Sequence, residues 1–448
     1  MMLNDIKRSI LANQWTSPLF LNGAGWTGTN DDEDETREIF EYLSQNTSTS
    51  KLIFQNASMK QETNDAFRSA MHSRSLSSVT LRNLSIDGDE NAYQLPETVF
   101  QNKGINSLTL SRLSLNSESC GNLGAMIRES QSLHTLSLER VDLESEGLTS
   151  FLAALVMTKS LTTLRLQNVA LKKRDIQRLL VALFGNRSIT NLCLEGLNLD
   201  SSDTHQVSMF LRKNDTLTYL SLRGNALDAE SAKVLVRNGL VENKTLQGLY
   251  LSGNLFGDEG AKYLCELVNK CQNLKELCLS SIKMTPEGSI RVVKALRRNS
   301  NLRSISMDGN GLENYSVEVL ETVQQNKYIT KILDRLPLIL LCGKAKADYD
   351  NWKEIDLMLR ANKLHRSSVA DSELQSAKMP FLLENAGSSP DVLYFLLRGN
   401  ATLFPEARAP QDPPRIFSPS EGSRSGRSFD AFPLFRAAMN ATPLPRAA

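Results

Sequence analysis

Leucine and isoleucine recur along the chain at a fixed spacing, in the pattern L-x-x-L-x-L-x-x-(N or aliphatic)-x-L. Consecutive copies start 28 or 29 residues apart, and nine of them keep a common register. Their first residues are Leu76, Ile105, Leu133, Leu161, Ile189, Leu217, Leu246, Leu274 and Leu302. A fixed period of this length is typical of a solenoid, in which each repeat is one supersecondary unit that packs on its neighbours.

Each repeat combines two hydrophobic periods. In the repeat that begins at Leu161, the leucines at positions 164 and 166 alternate with polar residues, which indicates a short strand with one buried side. Later in the same repeat, Ile176, Leu179, Leu180 and Leu183 fall on one helical stripe. Parallel strands stack about 4.8 Å apart and helices about 8 to 10 Å apart. We therefore predict an α/β horseshoe with parallel strands on the concave face and helices on the convex face.

The ninth position of each repeat turns inward where the strand ends. Three repeats have asparagine there, Asn225, Asn254 and Asn310, and we expect these amides to bond backbone groups that have left the sheet. Six repeats have an aliphatic residue instead, and we expect their turns to satisfy the backbone within themselves or through water. The aliphatic residues are Leu84, Leu113, Val141, Val169, Leu197 and Ile282.

This pattern resembles the ribonuclease-inhibitor-like subfamily of leucine-rich repeats over positions 16 to about 335. The resemblance implies the fold and leaves the function open, because unrelated binding activities share it. The segments NWKEIDLMLRANKLHR, MPFLLENA and DVLYFLLRGN also resemble the helical end of uncharacterised leucine-rich-repeat proteins from diatoms and related algae.

Three regions are predicted along the chain. Residues 1–335 form a leucine-rich-repeat solenoid of about eleven repeats, because weaker copies extend the array at both ends. Residues 336–404 form a helical C-terminal cap, with a separate docking domain as the alternative. Residues 405–448 form a disordered tail, since eight of the fourteen prolines lie there among six arginines and no core can be buried.

Composition limits the kinds of partner. The chain has 51 Lys and Arg against 50 Asp and Glu, so no overall field would hold a nucleic acid or an anionic membrane. No signal peptide or membrane-spanning run is apparent, and the six cysteines form no C-x-x-C pair. We expect a monomeric cytoplasmic protein with reduced thiols and without glycans on its N-x-S/T sequons. Cys193 and Cys278, at strand position five, are expected to face solvent as inert thiols.

The sequence offers little for catalysis, and we expect neither an enzyme, nor a cofactor, nor a metal site. The four histidines lie in different repeats, and no phosphate-binding G-x-x-x-x-G-K-[ST] loop is present. One G-x-G-x-x-G match, at Gly23, Gly25 and Gly28, is interpreted as a repeat turn rather than a dinucleotide site. The acidic run from Asp31 to Glu35 is interpreted as a complement to the positive end of a helix.

A candidate binding site lies on the concave face, where strand positions three, five and seven point outward. Tyr219, Arg223 and Tyr250 are on adjacent repeats, and tyrosine and arginine are frequent anchors of protein interfaces. Arg165 and Glu195 are on neighbouring strands beside them. We therefore predict a non-catalytic protein-interaction scaffold that binds a macromolecular partner on this face, against the alternative of a merely solvated surface.

A second hypothesis is regulation of a small GTPase, by resemblance to Ran GTPase-activating proteins, which share these repeats. That family has a strongly acidic tail and a functional arginine near its amino-terminal repeats. The tail here has six arginines and four acids, which counts against the hypothesis, and Arg82 and Arg112 are the arginines that would take the functional role. A third hypothesis, pathogen sensing, would need a nucleotide-binding module ahead of the repeats, and the sequence shows no motif for one.

Overall fold

The computed structural model describes residues 8–10, 12–14, 18–23, 31–86, 95, 97–333 and 346–367. The chain divides into two compact bodies, Met1–Leu267 and Val268–Ala448. Of the predicted cap at 336–404, only the segment 346–367 is among the described residues, and the predicted tail at 405–448 lies outside them. The boundaries of solenoid, cap and tail therefore stay predictions.

In the described part of the first body, nine strands form one parallel sheet in chain order, and β5 pairs with β7 beside it. The strands are β1 (Leu19–Asn22), β2 (Lys51–Met59), β3 (Ser78–Ile86), β4 (Ser107–Ser111), β5 (Ser114–Leu115), β6 (Thr135–Glu139), β7 (Asp142–Leu143), β8 (Thr163–Gln167), β9 (Asn191–Glu195), β10 (Tyr219–Ser221) and β11 (Gly248–Tyr250). The parallel register confirms the predicted strand of each repeat. The solvent side of this sheet is called the strand face below.

Helices alternate with these strands, as the second hydrophobic period predicts. They are α1 (Asp31–Gln45), α2 (Gln61–Ala70), α3 (Glu97–Gln101), α4 (Ser117–Glu129), α5 (Ser145–Met157), α6 (Lys173–Gly185), α7 (Ser201–Lys213), α8 (Ala229–Leu235), α9 (Gly257–Lys270), α10 (Pro286–Leu296), α11 (Ser316–Gln325) and α12 (Lys346–Ser367). A π-helical turn, Val236–Leu240, follows α8, and a 3-10 turn, Leu312–Asn314, precedes α11. The outward side of the helices is called the helix face.

The leucine side of each strand and the apolar stripe of each helix form the core. Leu164 and Leu166 of β8 are fully buried, and Ile176 and Leu179 of α6 are at most 2% exposed. Both hydrophobic periods therefore assign the buried side correctly. Local signals also set where helices begin: Asp200 accepts a hydrogen bond from the Ser202 backbone N–H at 2.8 Å at the start of α7.

The inward asparagines behave as predicted. The Asn225 amide donates to the Leu194 carbonyl at 2.8 Å, and its oxygen accepts from the Leu197 and Leu199 backbone N–H groups at 3.0 and 3.1 Å. Asn254 donates to the Leu222 carbonyl at 3.0 Å and so repeats the arrangement one strand further along. Each amide therefore joins the turn of its own repeat to that of the preceding repeat.

A second set of buried asparagines follows the helices. The Asn243 amide donates to the Leu211 carbonyl at 2.7 Å, while its oxygen accepts from the backbone N–H groups of Thr245 and Leu246 at 3.0 and 2.8 Å. We call these residues the helix-end asparagines: Asn46, Asn102, Asn186, Asn214, Asn243, Asn299 and Asn326. Four of them, at 46, 186, 214 and 243, begin N-x-S/T sequons, so the serine or threonine belongs to the turn and the folded amide has no room for a glycan.

In the second body, β12 (Glu276–Cys278) pairs in parallel with β13 (Ser304–Ser306). Helix α12 lies against α11 and buries Trp352, Ile355 and Met358 almost completely. Its Asn362 donates to the Ile329 carbonyl at 2.7 Å and to the Asn326 carbonyl at 3.3 Å. This helix therefore supplies the asparagine that the next repeat would have supplied.

Candidate functional site

Four of the predicted site residues lie on adjacent strands, β8 to β11, and the fifth, Arg223, follows β10. The register pairs Arg165 with Cys193, Cys193 with Ser221, and Ser221 with Tyr250, so these four residues form one row across the strand face. Glu195 lies two positions beyond Cys193 on β9. The arrangement brings opposite charges, a thiol, a hydroxyl and an aromatic ring onto one continuous surface.

Arg223 and Tyr250 are in direct contact. The Arg223 guanidinium carbon lies 5.0 Å from the centre of the Tyr250 ring, within the range of a cation–π interaction. Arg223 is exposed and Tyr250 is half-buried. Two of the three anchor candidates from the sequence therefore form one preformed pair in which the arginine is exposed.

Glu195 is held by a residue that the sequence did not single out. The Ser221 hydroxyl, itself only 4% exposed, donates a short hydrogen bond to the Glu195 carboxylate. Ser221 lies on β10 and Glu195 on β9, so this hydrogen bond joins two neighbouring strands. The carboxylate is fixed in direction before any partner arrives.

Tyr219 depends on Gly248, another residue that sequence reasoning missed. The two are register partners on β10 and β11, and a Cβ atom at Gly248 would lie 2.3 Å from the Tyr219 Cδ1 atom. The ring therefore lies across the backbone of the next strand, which only glycine permits. The sequence signal that could have indicated this contact is a glycine at the strand position directly opposite an outward-facing aromatic residue.

The Cys193 thiol sits among the charged members of this site. Burial raises its pKa and the Glu195 carboxylate adds to the rise, while a hydrogen bond with Arg165 and the charge of Arg223 act against it. The pKa stays above its ordinary value, so the thiol is protonated near neutral pH and is a poor nucleophile. The expectation of solvent exposure is wrong for Cys278, which is only 6% exposed, because cover by neighbouring side chains cannot be inferred from strand position alone.

We call Arg165, Glu195, Tyr219, Arg223 and Tyr250 the strand-face cluster. The structure joins Arg223 to Tyr250 directly and brings Arg165 and Glu195 together around Cys193. Tyr219 lies at strand position three, at the opposite end of β10 from Arg223. Its binding role, like that of the other four, stays a prediction.

A separate polar cavity of about 190 Å³ lies further toward the amino terminus of the same sheet. The two arginines of the GTPase hypothesis, Arg82 and Arg112, both line it, and the Ser111 hydroxyl donates to the Glu139 carboxylate at 3.3 Å within it. The full lining is Gln55, Asn56, Arg82, Asn83, Ser111, Arg112 and Glu139.

The acidic run has a structural role at a helix start. Glu33 accepts hydrogen bonds from the Lys60 backbone N–H at 2.7 Å and from the Thr63 hydroxyl at 2.9 Å, just where α2 begins. In the glycine match, the Gly23 N–H bonds to the Gln55 carbonyl at 3.0 Å, as a repeat turn requires, while Gly25 and Gly28 lie outside the described residues.

Among the described residues, no group of three or more His, Cys, Asp or Glu side chains is placed to hold a metal ion. None of the helices in that part of the chain combines the length and the apolar character needed to cross a membrane.

Comparisons with known proteins agree with the repeats. A family model described as "Leucine Rich repeat" matches residues 213–236 and 242–265. The chain is 36% identical over 84 residues to "NACHT, LRR and PYD domains-containing protein 13" of Homo sapiens, and the match covers 18% of this chain. It is 35% identical over 82 residues to "NACHT, LRR and PYD domains-containing protein 4C" of Mus musculus, again 18% of this chain.

These relatives are much longer, and the matched segment spans only 8% of each. The solved structure "Leiomodin-1 Actin-Binding Site 2 (ABS2)" is similar at a TM-score of 0.28 and 13% identity, over 46% of this chain and 99% of that one. That likeness is too slight to bear on fold or function. The resemblance of the carboxy-terminal segments to algal proteins stays a prediction.

Proposed function

Because this chain is a leucine-rich-repeat protein, we propose that it is a non-catalytic scaffold that binds a protein partner through the strand-face cluster. Leucine-rich-repeat domains generally mediate protein–protein interaction. The observation that carries the proposal is the preformed Arg223–Tyr250 pair, at 5.0 Å, beside a carboxylate that Ser221 holds in place. We propose that the protein acts in the cytoplasm as a monomer and that its partner is not a nucleic acid.

Preorganisation supports this choice of surface. Binding costs free energy for every side chain that must be ordered, roughly 0.5–1.5 kcal/mol each. Here the Tyr219 ring lies close against Gly248 of β11, Tyr250 lies under a guanidinium, and Glu195 is hydrogen-bonded, so the free protein already holds these side chains in place and binding orders fewer of them. A partner that offers a carboxylate to Arg223 and a donor to Glu195 would match both charges.

The helix face differs in chemistry. Its exposed large side chains are mostly aliphatic or sulfur-containing, and they include Met157, Val181 and Met209. Its charged residues are largely paired with each other, as Lys173 is with Asp200 at 2.8 Å. The strand-face cluster is therefore the better candidate for recognition by charge and aromatic contact.

The test compares two arginine–tyrosine pairs with the same kind of cation–π contact. Arg237 lies 5.1 Å from the Tyr263 ring on the helix face, and so Arg237→Ala/Tyr263→Ala is a matched control for Arg223→Ala/Tyr250→Ala. Proximity labelling in the native cell, followed by quantitative capture of the labelled partner with each purified variant, should show at least a tenfold loss only for the strand-face variant. Equal capture by both variants would remove the cluster from the interface.

The GTPase hypothesis stays a prediction. Its support is that Arg82 and Arg112 line one cavity, and the volume of that cavity, about 190 Å³, is small for a nucleotide. Acceleration of GTP hydrolysis by the full chain, tested on a panel of small GTPases and lost in Arg82→Ala, would favour it. No acceleration across the panel would retire it.

A further inference from the structure

The residue at position eight of each repeat in this array, which follows the strand in most repeats, has a left-handed backbone. Asparagine and glycine occupy this position in most repeats, as expected for residues that tolerate positive φ. The residues with positive φ at this position are Asn56, Asn83, Arg112, Arg140, Asn168, Gly196, Gly224, Gly253, Ser281 and Gly309. Arginine stands there in two neighbouring repeats, with φ of 53° and 51°.

Arginine has no local reason to be there. Its side chain gains nothing from a left-handed backbone, and a long residue in this conformation carries a cost in backbone energy that persists only where something compensates for it. The Arg112 N–H bonds to the Glu139 carbonyl at 2.9 Å and the Arg140 N–H to the Gln167 carbonyl at 2.8 Å, as in the other repeats. The backbone of the turn therefore does not require arginine, and the reason lies in the side chains.

The two side chains start from equivalent points of adjacent strands, which are about 4.8 Å apart. Arg112 shares the 190 Å³ cavity with Arg82, and Arg140 follows β6 directly beside Arg112 in the strand register, so three arginines lie on consecutive strands at one end of the sheet. We call Arg82, Arg112 and Arg140 the strand-end arginines. Within the described residues none of the three forms an ion pair, whereas Arg178, Arg212 and Arg237 each pair with an acid.

Charge identifies the ligand that would fit. Arg82 and Arg112 line the cavity together with one carboxylate, Glu139, which accepts a hydrogen bond from the Ser111 hydroxyl, and Arg140 directly follows Glu139 in the chain. The three arginines and Glu139 together carry a net charge of two positive units, which matches a phosphate monoester at about −1.5 to −2 and exceeds what a single carboxylate would neutralise. Guanidinium groups also bind phosphate oxygens through paired hydrogen bonds.

Size narrows the ligand further. The cavity of about 190 Å³ is smaller than the roughly 300 to 1,000 Å³ typical of pockets for drug-sized ligands. It suits one side chain with a terminal group better than a nucleotide. We propose that the strand-end arginines bind the phosphate group of a phosphorylated serine or threonine on a protein partner. This site shares no residue with the strand-face cluster, so either one can fail without the other.

The experiment uses the full chain and a fluorescently labelled peptide, Gly-Gly-phosphoserine-Gly-Gly, with serine and glutamate versions for comparison. The phosphoserine peptide should bind at least tenfold more tightly than either. Arg112→Asn/Arg140→Asn should reduce that binding at least tenfold. Asparagine is the residue that neighbouring repeats use at this position, so the variant keeps its fold, and an unchanged melting temperature checks this.

Two controls separate this site from other causes. Arg128→Asn removes an exposed arginine of α4, which pairs with Glu129, and should leave peptide binding unchanged. Tyr250→Ala should also leave it unchanged, because Tyr250 belongs to the strand-face cluster. Binding should weaken as pH falls below about 6, where the phosphate loses its second charge.

Three outcomes would overturn the proposal. Equal binding of the phosphoserine and serine peptides would show that the edge does not bind phosphate. Equal binding of the phosphoserine and glutamate peptides would assign a carboxylate ligand instead. Full binding by a folded Arg112→Asn/Arg140→Asn variant would place the phosphate elsewhere.

Discussion

The repeats that begin at Ile105, Leu133 and Leu161 close the turn after their strand differently from those that begin at Leu217 and Leu246. In the first group position nine is aliphatic, and backbone continues to pair with backbone beyond the main sheet: β5 pairs with β7, and Asp142 bridges to Ala170. In the second group a buried asparagine side chain takes over these bonds. One solenoid therefore uses two interchangeable ways to satisfy the same backbone groups.

The largest expected effect contrasts the two kinds of turn. Asn225→Ala leaves backbone groups of two repeats without partners, at about 1–3 kcal/mol for each unsatisfied group, so we expect a loss of about 3 kcal/mol in the free energy of unfolding. Val169→Ala, at the same position of an aliphatic repeat, should cost about 1.5 kcal/mol, at roughly 0.8 kcal/mol per methyl-sized group. Urea unfolding followed by circular dichroism measures both, and equal losses would contradict the distinction.

The next effect concerns the left-handed residue of the asparagine-type turn. Gly224 has a φ of 61°, and a Cβ atom there would meet nothing nearer than the Gly196 nitrogen at 3.9 Å. Gly224→Ala should therefore lower stability by about 1–2 kcal/mol through backbone conformation alone. Gly121→Ala in α4, where a Cβ atom meets nothing within 4 Å, should instead raise stability by about 0.5–1 kcal/mol. If both variants shifted the melting temperature in the same direction, the left-handed backbone at Gly224 would not be the cause.

A smaller effect lies between the repeats that begin at Leu161 and Ile189. Lys173 of α6 bonds Asp200, which begins α7, and this holds the pKa of the Asp200 carboxyl well below its usual range. A carboxylate with a lowered pKa stabilises the fold above its unfolded pKa of about 3.9, and the contribution is lost as pH falls further. Both side chains are more than 40% exposed, so we expect less than about 1 kcal/mol.

Asp200→Asn measures that contribution, because asparagine still caps the helix. The variant should be less stable than the unmodified protein at pH 7, and the difference should shrink toward pH 3. A difference that stays constant over this range would assign the effect to capping rather than to the ion pair.

The smallest effect has the opposite sign. Arg112→Gly removes a left-handed arginine from an aliphatic-type turn, with φ of 53°, and should raise stability by roughly 0.5 kcal/mol after the added flexibility of the unfolded chain is counted. Arg128→Gly, within α4, should lower stability by about 1 kcal/mol. Thermal melts of the pair check the contrast, and destabilisation by Arg112→Gly would mean that arginine is not strained there.

The sequence predicts most of the fold because one leucine period fixes both the buried side of each strand and the spacing of the strands. It also predicts the hydrogen bonds of Asn225, because a buried amide at a strand end needs partners and the backbone groups that have left the sheet are the nearest ones. For aliphatic turns such as that at Leu113, the expectation of bonds within the turn or to water missed a partner, because the Leu113 carbonyl accepts from the Asp142 N–H of the next repeat at 3.0 Å.

The candidate site is less predictable from sequence, because its contacts cross between repeats. Arg223 and Tyr250 are in contact because they belong to adjacent repeats, and the repeat spacing alone predicts that adjacency. The roles of Ser221 and Gly248 depend on which neighbouring strand the Glu195 and Tyr219 side chains contact. The repeat pattern of the sequence does not specify that choice. The strained arginines at 112 and 140 became visible only through their φ angles.

The helix-end asparagines have a consequence for how the protein is made. Sugar transfer acts on N-x-S/T while a nascent chain is still unfolded, and it targets the side-chain nitrogen that Asn186 and Asn243 later donate to a neighbouring repeat. An oligosaccharide on either nitrogen would leave no hydrogen for that bond and no space for the turn. In a compartment where glycans are attached, glycosylation of these asparagines would therefore compete with the packing of each repeat on its neighbour.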